Sequence, residues 1–215
     1  MFFKIPLTNV KAVLLDLDNT LYKHDTCHEK ALMKCWNYFR ETINSKTSIK
    51  KLNETYQNAR KIIQTRLFPG GSCRSRLLYF QTFFELFNLT NSYTLALQFE
   101  SLYNSTFLNE MTCNEDAKQF LIDCSNKQIK ICIITNLTTQ FQIKKINALL
   151  ISDYITYLVS SEEAGVEKPD PLIFELALKK LNVDKKHIIM IGDSTTCDIS
   201  PATKLGIKSY LIKLQ

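Results

Sequence analysis

Two carboxylates stand one residue apart in Leu14-Leu15-Asp16-Leu17-Asp18-Asn19-Thr20, at the end of an apolar run that opens at Val10. Side chains alternate along a strand, so Asp16 and Asp18 would leave a sheet together at its carboxyl end, where parallel α/β sheets bind ligands. Neighbouring acids at the rim of a buried strand are costly to keep ionised unless a cation joins them. Mg2+, a hard ion that takes oxygen ligands, suits that role. The same residues could instead open a helix, with Asp or Asn as its cap. Three later segments offer further polar groups at predicted strand ends or in the loops beyond. Ile131-Cys132-Ile133-Ile134 runs into Thr135-Asn136, which supplies a hydroxyl, an amide and two backbone N–H groups. Lys168 lies in Gly165-Val166-Glu167-Lys168-Pro169-Asp170-Pro171, and the proline that follows biases it to an extended backbone. Ile188-Ile189-Met190-Ile191-Gly192-Asp193 ends on another acid, with Asp198 five residues on. Taken singly, Thr135 could be a turn residue, Lys168 a solvated charge and Asp193 a helix cap.

Taken together and in this order, Asp-x-Asp-x-Thr, Thr-Asn, Lys-Pro-Asp-Pro and Gly-Asp-Ser with a further Asp resemble the haloacid dehalogenase superfamily of phosphohydrolases. The resemblance covers core-like sequence at residues 8–20 and 111–215. Asn19 stands where many members have Gly, and Cys197 where an Asn often precedes the final Asp. The resemblance implies that Asp16 is the nucleophile, attacking phosphorus to give an aspartyl-phosphate. Asp18 would be the general acid for the leaving alkoxide and then the base for water. Mg2+ would sit between the Asp16 carboxylate, the Asp18 backbone carbonyl and the Asp193 carboxylate. Thr135, the Asn136 N–H and Lys168 would hold the phosphoryl oxygens, and Asp198 would orient Lys168 or a water. The family also contains a sugar phosphomutase type, which passes phosphate to a second hydroxyl, and true 2-haloacid dehalogenases. A halide leaves without a proton and an alkoxide does not, so Asp18 favours phosphate chemistry.

The elements that must position these residues follow from the motifs. Strands are expected near 10–16, 129–135, 155–160, 187–192 and 208–213, with helices near 114–127, 139–150, 171–182 and 198–205. Asp170-Pro171 reads as a helix start and Gly206 as a stop. Strand-helix alternation predicts a doubly wound parallel α/β sheet. Residues 1–20 and 111–215 form the expected catalytic core, and 21–110 an inserted helical cap without clear strands. Within the cap, Leu32, Cys35, Trp36, Phe39 and Ile43 recur at helical spacing, as do Leu77, Phe80, Phe84 and Phe87. These stripes read as the core of a small bundle.

All five arginines, Arg40, Arg60, Arg66, Arg74 and Arg76, fall in that segment, which has 12 basic against 7 acidic residues and so +5 of the chain's net +6. Arginine grips carboxylates and phosphates in a bidentate manner. Arg74 and Arg76 follow Phe68-Pro69-Gly70-Gly71-Ser72-Cys73, expected to be a flexible loop, and are the candidates for binding a second anionic group of the substrate. His24 and His28, spaced for one helix face with Cys27 beside them, lack a second ligand pair, so the two histidines read as surface residues rather than a zinc site.

A chain of 215 residues that is 45% hydrophobic suits one α/β domain with an insert. No stretch approaches the ~18 unbroken apolar residues of a membrane span. Met1-Phe2-Phe3-Lys4-Ile5-Pro6 has no secretory apolar core, and the seven cysteines, with no Cys-x-x-Cys pair, read as reduced thiols. The expectation is a cytoplasmic monomer or homodimer acting on a small anionic phosphorylated substrate, with neither nucleic acid nor membrane as partner.

Overall fold

The computed structural model describes residues 2, 5–89 and 91–214. The opening hexapeptide therefore lies partly outside the described residues. Five parallel strands, β1 (Ala12–Leu15), β2 (Lys130–Thr135), β3 (Tyr157–Ser160), β4 (Ile188–Gly192) and β5 (Lys208–Leu211), form one sheet in the order β3-β2-β1-β4-β5. The predicted α/β class and parallel sheet are thus present. β1 pairs Leu15 with Ile133 of β2 on one side and with Ile191 of β4 on the other. Because the chain leaves β1 toward β2 and returns on the far side to β4, the carboxyl ends of these three strands meet at the point where strand order reverses.

The strands are buried on both faces, as a parallel sheet requires. Ala12, Leu14, Cys132, Ile134 and Met190 pack in one cluster with Ile173, Phe174, Ala177 and Leu181 of α8 (Pro171–Leu181). Val13, Leu15, Ile133 and Ile191 alternate to the other face and are equally inaccessible. Four further helices complete this unit: α5 (Glu115–Asn126), α6 (Thr139–Ala148), α7 (Ser161–Ala164) and α9 (Ser200–Lys204). Asp170 caps α8 by accepting from the Leu172 N–H, with Pro171 in the first turn, as its sequence predicts. Gly206, at φ 80°, stops α9. The helix expected over 198–205 is instead a π-type turn at Thr195–Ile199 leading into α9. Asp198 inside that turn is held inward by Lys168 and by the Ser194 N–H, which interrupts the regular ladder.

Residues 25–110 form one compact unit, and residues 1–24 with 111–215 form another. The first is built from α1 (His24–Thr42), α2 (Ile49–Leu67), α3 (Arg76–Leu86) and α4 (Tyr93–Asn109). Its interior is aromatic: Trp36 stacks on Phe83 with centroids 5.2 Å apart, and Phe84 meets Phe99 edge-to-face at 4.9 Å. Of the predicted stripes, Leu32, Cys35, Trp36, Phe39, Phe80 and Phe84 are buried, while Ile43, Leu77 and Phe87 lie at the edge. The segment expected as a loop at 68–76 carries local structure of its own. Gly71–Arg74 is a 3-10 turn, Ser75 caps α3, and the Tyr79 hydroxyl donates to the Cys73 carbonyl at 2.6 Å. His28 is tied to the Tyr103 hydroxyl at 2.6 Å rather than lying free on the surface, and Cys27 is buried.

Asn19, just past the paired acids, has φ 60°, and its side-chain oxygen accepts from the His24 N–H at 2.9 Å. Only Gly and, among other residues, chiefly Asn and Asp adopt this left-handed geometry at low cost, which explains Asn where many relatives of this motif have Gly. Asn19→Val is expected to lower unfolding free energy by about 1–2 kcal/mol, and Asn19→Gly by less. Urea denaturation of the two variants checks the ordering.

Candidate active site

Asp16 follows β1 directly, and its N–H donates to the Ile191 carbonyl of β4. Its carboxylate receives the Thr20 hydroxyl at 2.7 Å and the Lys168 ammonium at 2.7 Å. Lys168 also donates to Asp198 at 2.6 Å and to the Ile134 carbonyl at 2.9 Å, so all three of its N–H bonds are used. Lys168 and Asp198 are 5% and 1% exposed, which makes this a buried charge cluster. The loop that delivers Lys168 is fixed by Asn136. Its side chain accepts from the Lys168 N–H at 2.7 Å and donates to the Lys168 carbonyl at 3.2 Å.

Asp198 occupies the space above Gly192 at the end of β4. A Cβ at Gly192 would lie 2.4 Å from the Asp198 carboxylate, so no other residue fits there without displacing that acid. One carboxylate oxygen each from Asp16, Asp193 and Asp198 lies within 4.8 Å of the others. Three acids against the one lysine leave an excess of negative charge, and an all-oxygen donor set of this kind fits a hard divalent cation. Burial, with the neighbouring Asp198 charge, pushes the Asp16 carboxyl up to about 7 even though Lys168 and Thr20 oppose it. Burial and Asp198 also raise Asp193. Lys168, despite its own burial, is held protonated above its ordinary value by Asp16 and Asp198.

The Asp18 carboxylate goes elsewhere. It receives the Lys145 ammonium of α6 at 2.7 and 2.9 Å, and the Tyr22 hydroxyl also donates to it. Burial works against its ionisation, yet Lys145 and His24 hold it well below the usual carboxylate range. The expectation that Asp16 and Asp18 project together is therefore met only in sequence position, because their side chains have separate cationic partners. Thr135 ends β2, and its Oγ accepts from Gln142 of α6 at 2.6 Å. Accepting there leaves the hydroxyl proton free to be given to another acceptor. Lys145 and Gln142, both fully buried, were not predicted as site residues; their three-residue spacing on a helix that begins four residues after Thr135 is the signal that could have found them. Arg74 and Arg76 belong to the other compact unit.

This arrangement defines a class: a Rossmann-like α/β hydrolase with a helical insertion after the first strand, whose site joins three acids and a buried lysine at the sheet's switch point. More narrowly, the chain belongs to the haloacid dehalogenase-like hydrolase family, which matches residues 10–206. It is 32% identical to the ribulose-1,5-bisphosphate 5-phosphatase of Halopiger xanaduensis over 200 residues, 93% of this chain and 83% of that one. It is 27% identical to the N-acylneuraminate-9-phosphatase of Homo sapiens, over 94% and 82% of the two chains. The crystal structure of a 2-haloacid dehalogenase from Pseudomonas syringae superposes with TM-score 0.71 at 21% identity, covering 94% of this chain and 86% of that one. The chain is accordingly a hydrolase of this family, and the two relatives compared in sequence are phosphatases. Among the described residues, no helix is long and apolar enough to cross a membrane.

Asp16 is raised above its ordinary 3.8, so the stability it contributes is whole below about pH 4 and is lost as pH climbs through about 7. Metal-free protein is expected to melt at a lower temperature at pH 8 than at pH 5. Added Mg2+ should raise Tm by several degrees at pH 8 and by less at pH 5. Asp16→Asn should flatten the pH dependence, all read by thermal melts.

Proposed function

We propose that this protein is a Mg2+-dependent phosphatase that hydrolyses a small phosphorylated metabolite of the sugar-phosphate type through an aspartyl-phosphate on Asp16. The observation that supports it best is the lysine shared by two buried acids. Lys168 holds Asp16 at the strand tip while leaving a concentration of carboxylate charge that a divalent cation would neutralise. When bound, the cation would be held by Asp16, Asp193 and the Asp18 main-chain carbonyl, and would supply charge neutralisation for a phosphoryl group drawing close to these acids. Asp198 lies close enough to join them.

This chain's own residues do the rest. Asp16 attacks phosphorus in line, forming the aspartyl ester and releasing the alkoxide. The Thr135 hydroxyl freed by Gln142 and the Asn136 N–H take phosphoryl oxygens, and Lys168, whose three N–H bonds go to Asp16, Asp198 and the Ile134 carbonyl, takes another by exchanging one of these acceptors for it. Asp18 gives its proton to the departing oxygen and later withdraws one from the attacking water. Its pairing with Lys145 sets its resting state as the ionised base; the proton it donates is acquired when phosphate charge arrives nearby and offsets that ammonium. Such a base and acid two residues past the nucleophile has no task in halide displacement, which favours phosphatase over dehalogenase. A phosphotransferase would use the same groups, and differs by transfer of the phosphoryl to a second substrate hydroxyl rather than to water.

Purified protein screened against phosphorylated sugars with and without Mg2+ is expected to release phosphate only with the metal. Asp16→Asn should lose at least about 10³-fold in kcat while keeping its fold by circular dichroism. Phosphate release by that variant at the wild-type rate would overturn the assignment. Lys145→Met is expected to lower kcat about tenfold or more and to move the acid limb of the kcat/KM profile to higher pH, since Asp18 then loses the ammonium that keeps it ionised.

A further inference from the structure

The loop that carries Thr135 and Asn136 passes through a conformation that a leucine does not choose. Leu137 has φ 142°, in the region that glycine adopts freely and a residue with a Cβ resists, so the surrounding bonds must hold it there. Two buried side chains do so. The peptide group joining Asn136 to Leu137 is fixed at both edges: its carbonyl accepts from the Gln142 amide at 3.1 Å, and its N–H donates to the Ser161 hydroxyl at 2.9 Å. Ser161 donates in turn to the Leu137 carbonyl at 3.3 Å, which closes the clamp around one residue. Gln142 and Ser161 are both inaccessible to solvent, so these bonds form in a dry setting where they are strong. Thr139 extends the stitching, since its hydroxyl shares a hydrogen bond with Ser160 at 2.6 Å and its N–H donates to Glu162 at 2.7 Å.

The Gln142 amide also donates to the Thr135 hydroxyl at 2.6 Å. Its orientation is settled by the Asn136 carbonyl, which can only accept. The opposite end of the amide, Oε1, is buried and has no hydrogen-bond partner among the described residues. An apolar side chain of similar shape would fill the same space without that cost, so the glutamine is explained by what its two N–H bonds position rather than by packing.

We propose that Gln142 and Ser161 are positioning residues that hold Leu137 in its strained geometry and so fix the Thr135 hydroxyl and the Asn136 N–H toward the phosphoryl group before substrate arrives. This rests on the phosphatase reading and adds two residues to it, each acting through the loop between β2 and α6. Donors that are already aimed need no reorganisation as charge moves onto the phosphoryl oxygens, so the clamp is expressed in kcat rather than in KM. Loss of either partner lets the strain at Leu137 relax and the loop lose its aim.

Hydrolysis of p-nitrophenyl phosphate with Mg2+ tests this, because nitrophenolate leaves without a proton and the rate reports the grip on the phosphoryl group apart from Asp18. Gln142→Glu is expected to lower kcat at least tenfold, since a carboxylate takes up the Thr135 proton and repels the Asn136 carbonyl, with KM changed less than threefold. Ser161→Ala should do the same. Adding Leu137→Gly to Ser161→Ala should restore kcat at least threefold, because glycine adopts this φ without a clamp, whereas a packing defect is not repaired by removing a further side chain. A kcat loss below tenfold in either single variant, a KM shift of threefold or more, or a recovery below threefold in the double variant overturns the proposal. Gln142→Met and Ser161→Cys stand in, under the same thresholds, for a variant that circular dichroism shows to be unfolded. Wild-type protein that releases phosphate from neither this substrate nor any phosphorylated sugar ends the phosphatase reading itself and the clamp's role with it, whereas wild-type turnover with unaffected variants ends only the clamp.

Discussion

A single ammonium group, the Nζ of Lys168, ties the site together. It bonds at once to the acid after β1, the acid in the π-type turn after β4 and the last apolar carbonyl of β2. Three strands are thereby joined at one point by charge-assisted bonds in a dry environment, where breaking any one strands a charge. Much of the surrounding geometry exists to permit this. Asn136 grips the Lys168 backbone at both ends, Gly192 leaves the room that Asp198 fills, and the Ser194 N–H steadies the second oxygen of that acid. The sheet order that places β1 between β2 and β4 is the precondition, since no other strand can reach both neighbours' tips.

The same neighbourhood separates two aspartates that the sequence presents as equals. Asp16 is deeply buried, crowded by Asp198, and drawn toward its neutral form, while Asp18 is gripped on both oxygens by Lys145 and kept ionised. Divergent environments of this kind give two identical side chains different work. The raised acid is the one that a cation would activate, and the depressed one is a ready acceptor of protons. Because Lys145 and Gln142 sit on one face of α6, a single helix sets both the charge of Asp18 and the direction of the Thr135 hydroxyl.

The parallel sheet was legible from residues 8–20 and 111–215 because its strands are apolar runs that end in polar residues, and because Asp170-Pro171 and Gly206 punctuate the helices by local chemistry. Lys145 and Gln142 were not legible. A lysine and a glutamine on a helix read as solvent-facing, and only their side chains' burial against strand ends reveals otherwise. The inward turn of Asp198 was hidden for a related reason: a contact with a lysine thirty residues earlier decides the backbone there, and no local propensity reports it. Asn19 and Cys197 show the opposite case, departures from a motif that the structure makes harmless. Asn19 meets the positive φ that Gly otherwise serves, and at position 197 the working contact is made by the backbone N–H, which donates to the Ser194 hydroxyl and leaves the side chain free to vary.

The inserted unit follows a different physical logic from the sheet. Its helices are held by aromatic stacking, which is generous in area and undemanding in direction, so a polar cluster can be set into it without loss of the bundle. The core satisfies its buried lysine three times over with oxygen acceptors, whereas the insert leaves Arg76 facing tyrosine rings with a donor unspent. The sheet unit thus concentrates charge at one point, three acids about a single lysine, while the inserted unit spreads its cohesion over apolar rings, and a substitution that is costly in one has no counterpart in the other.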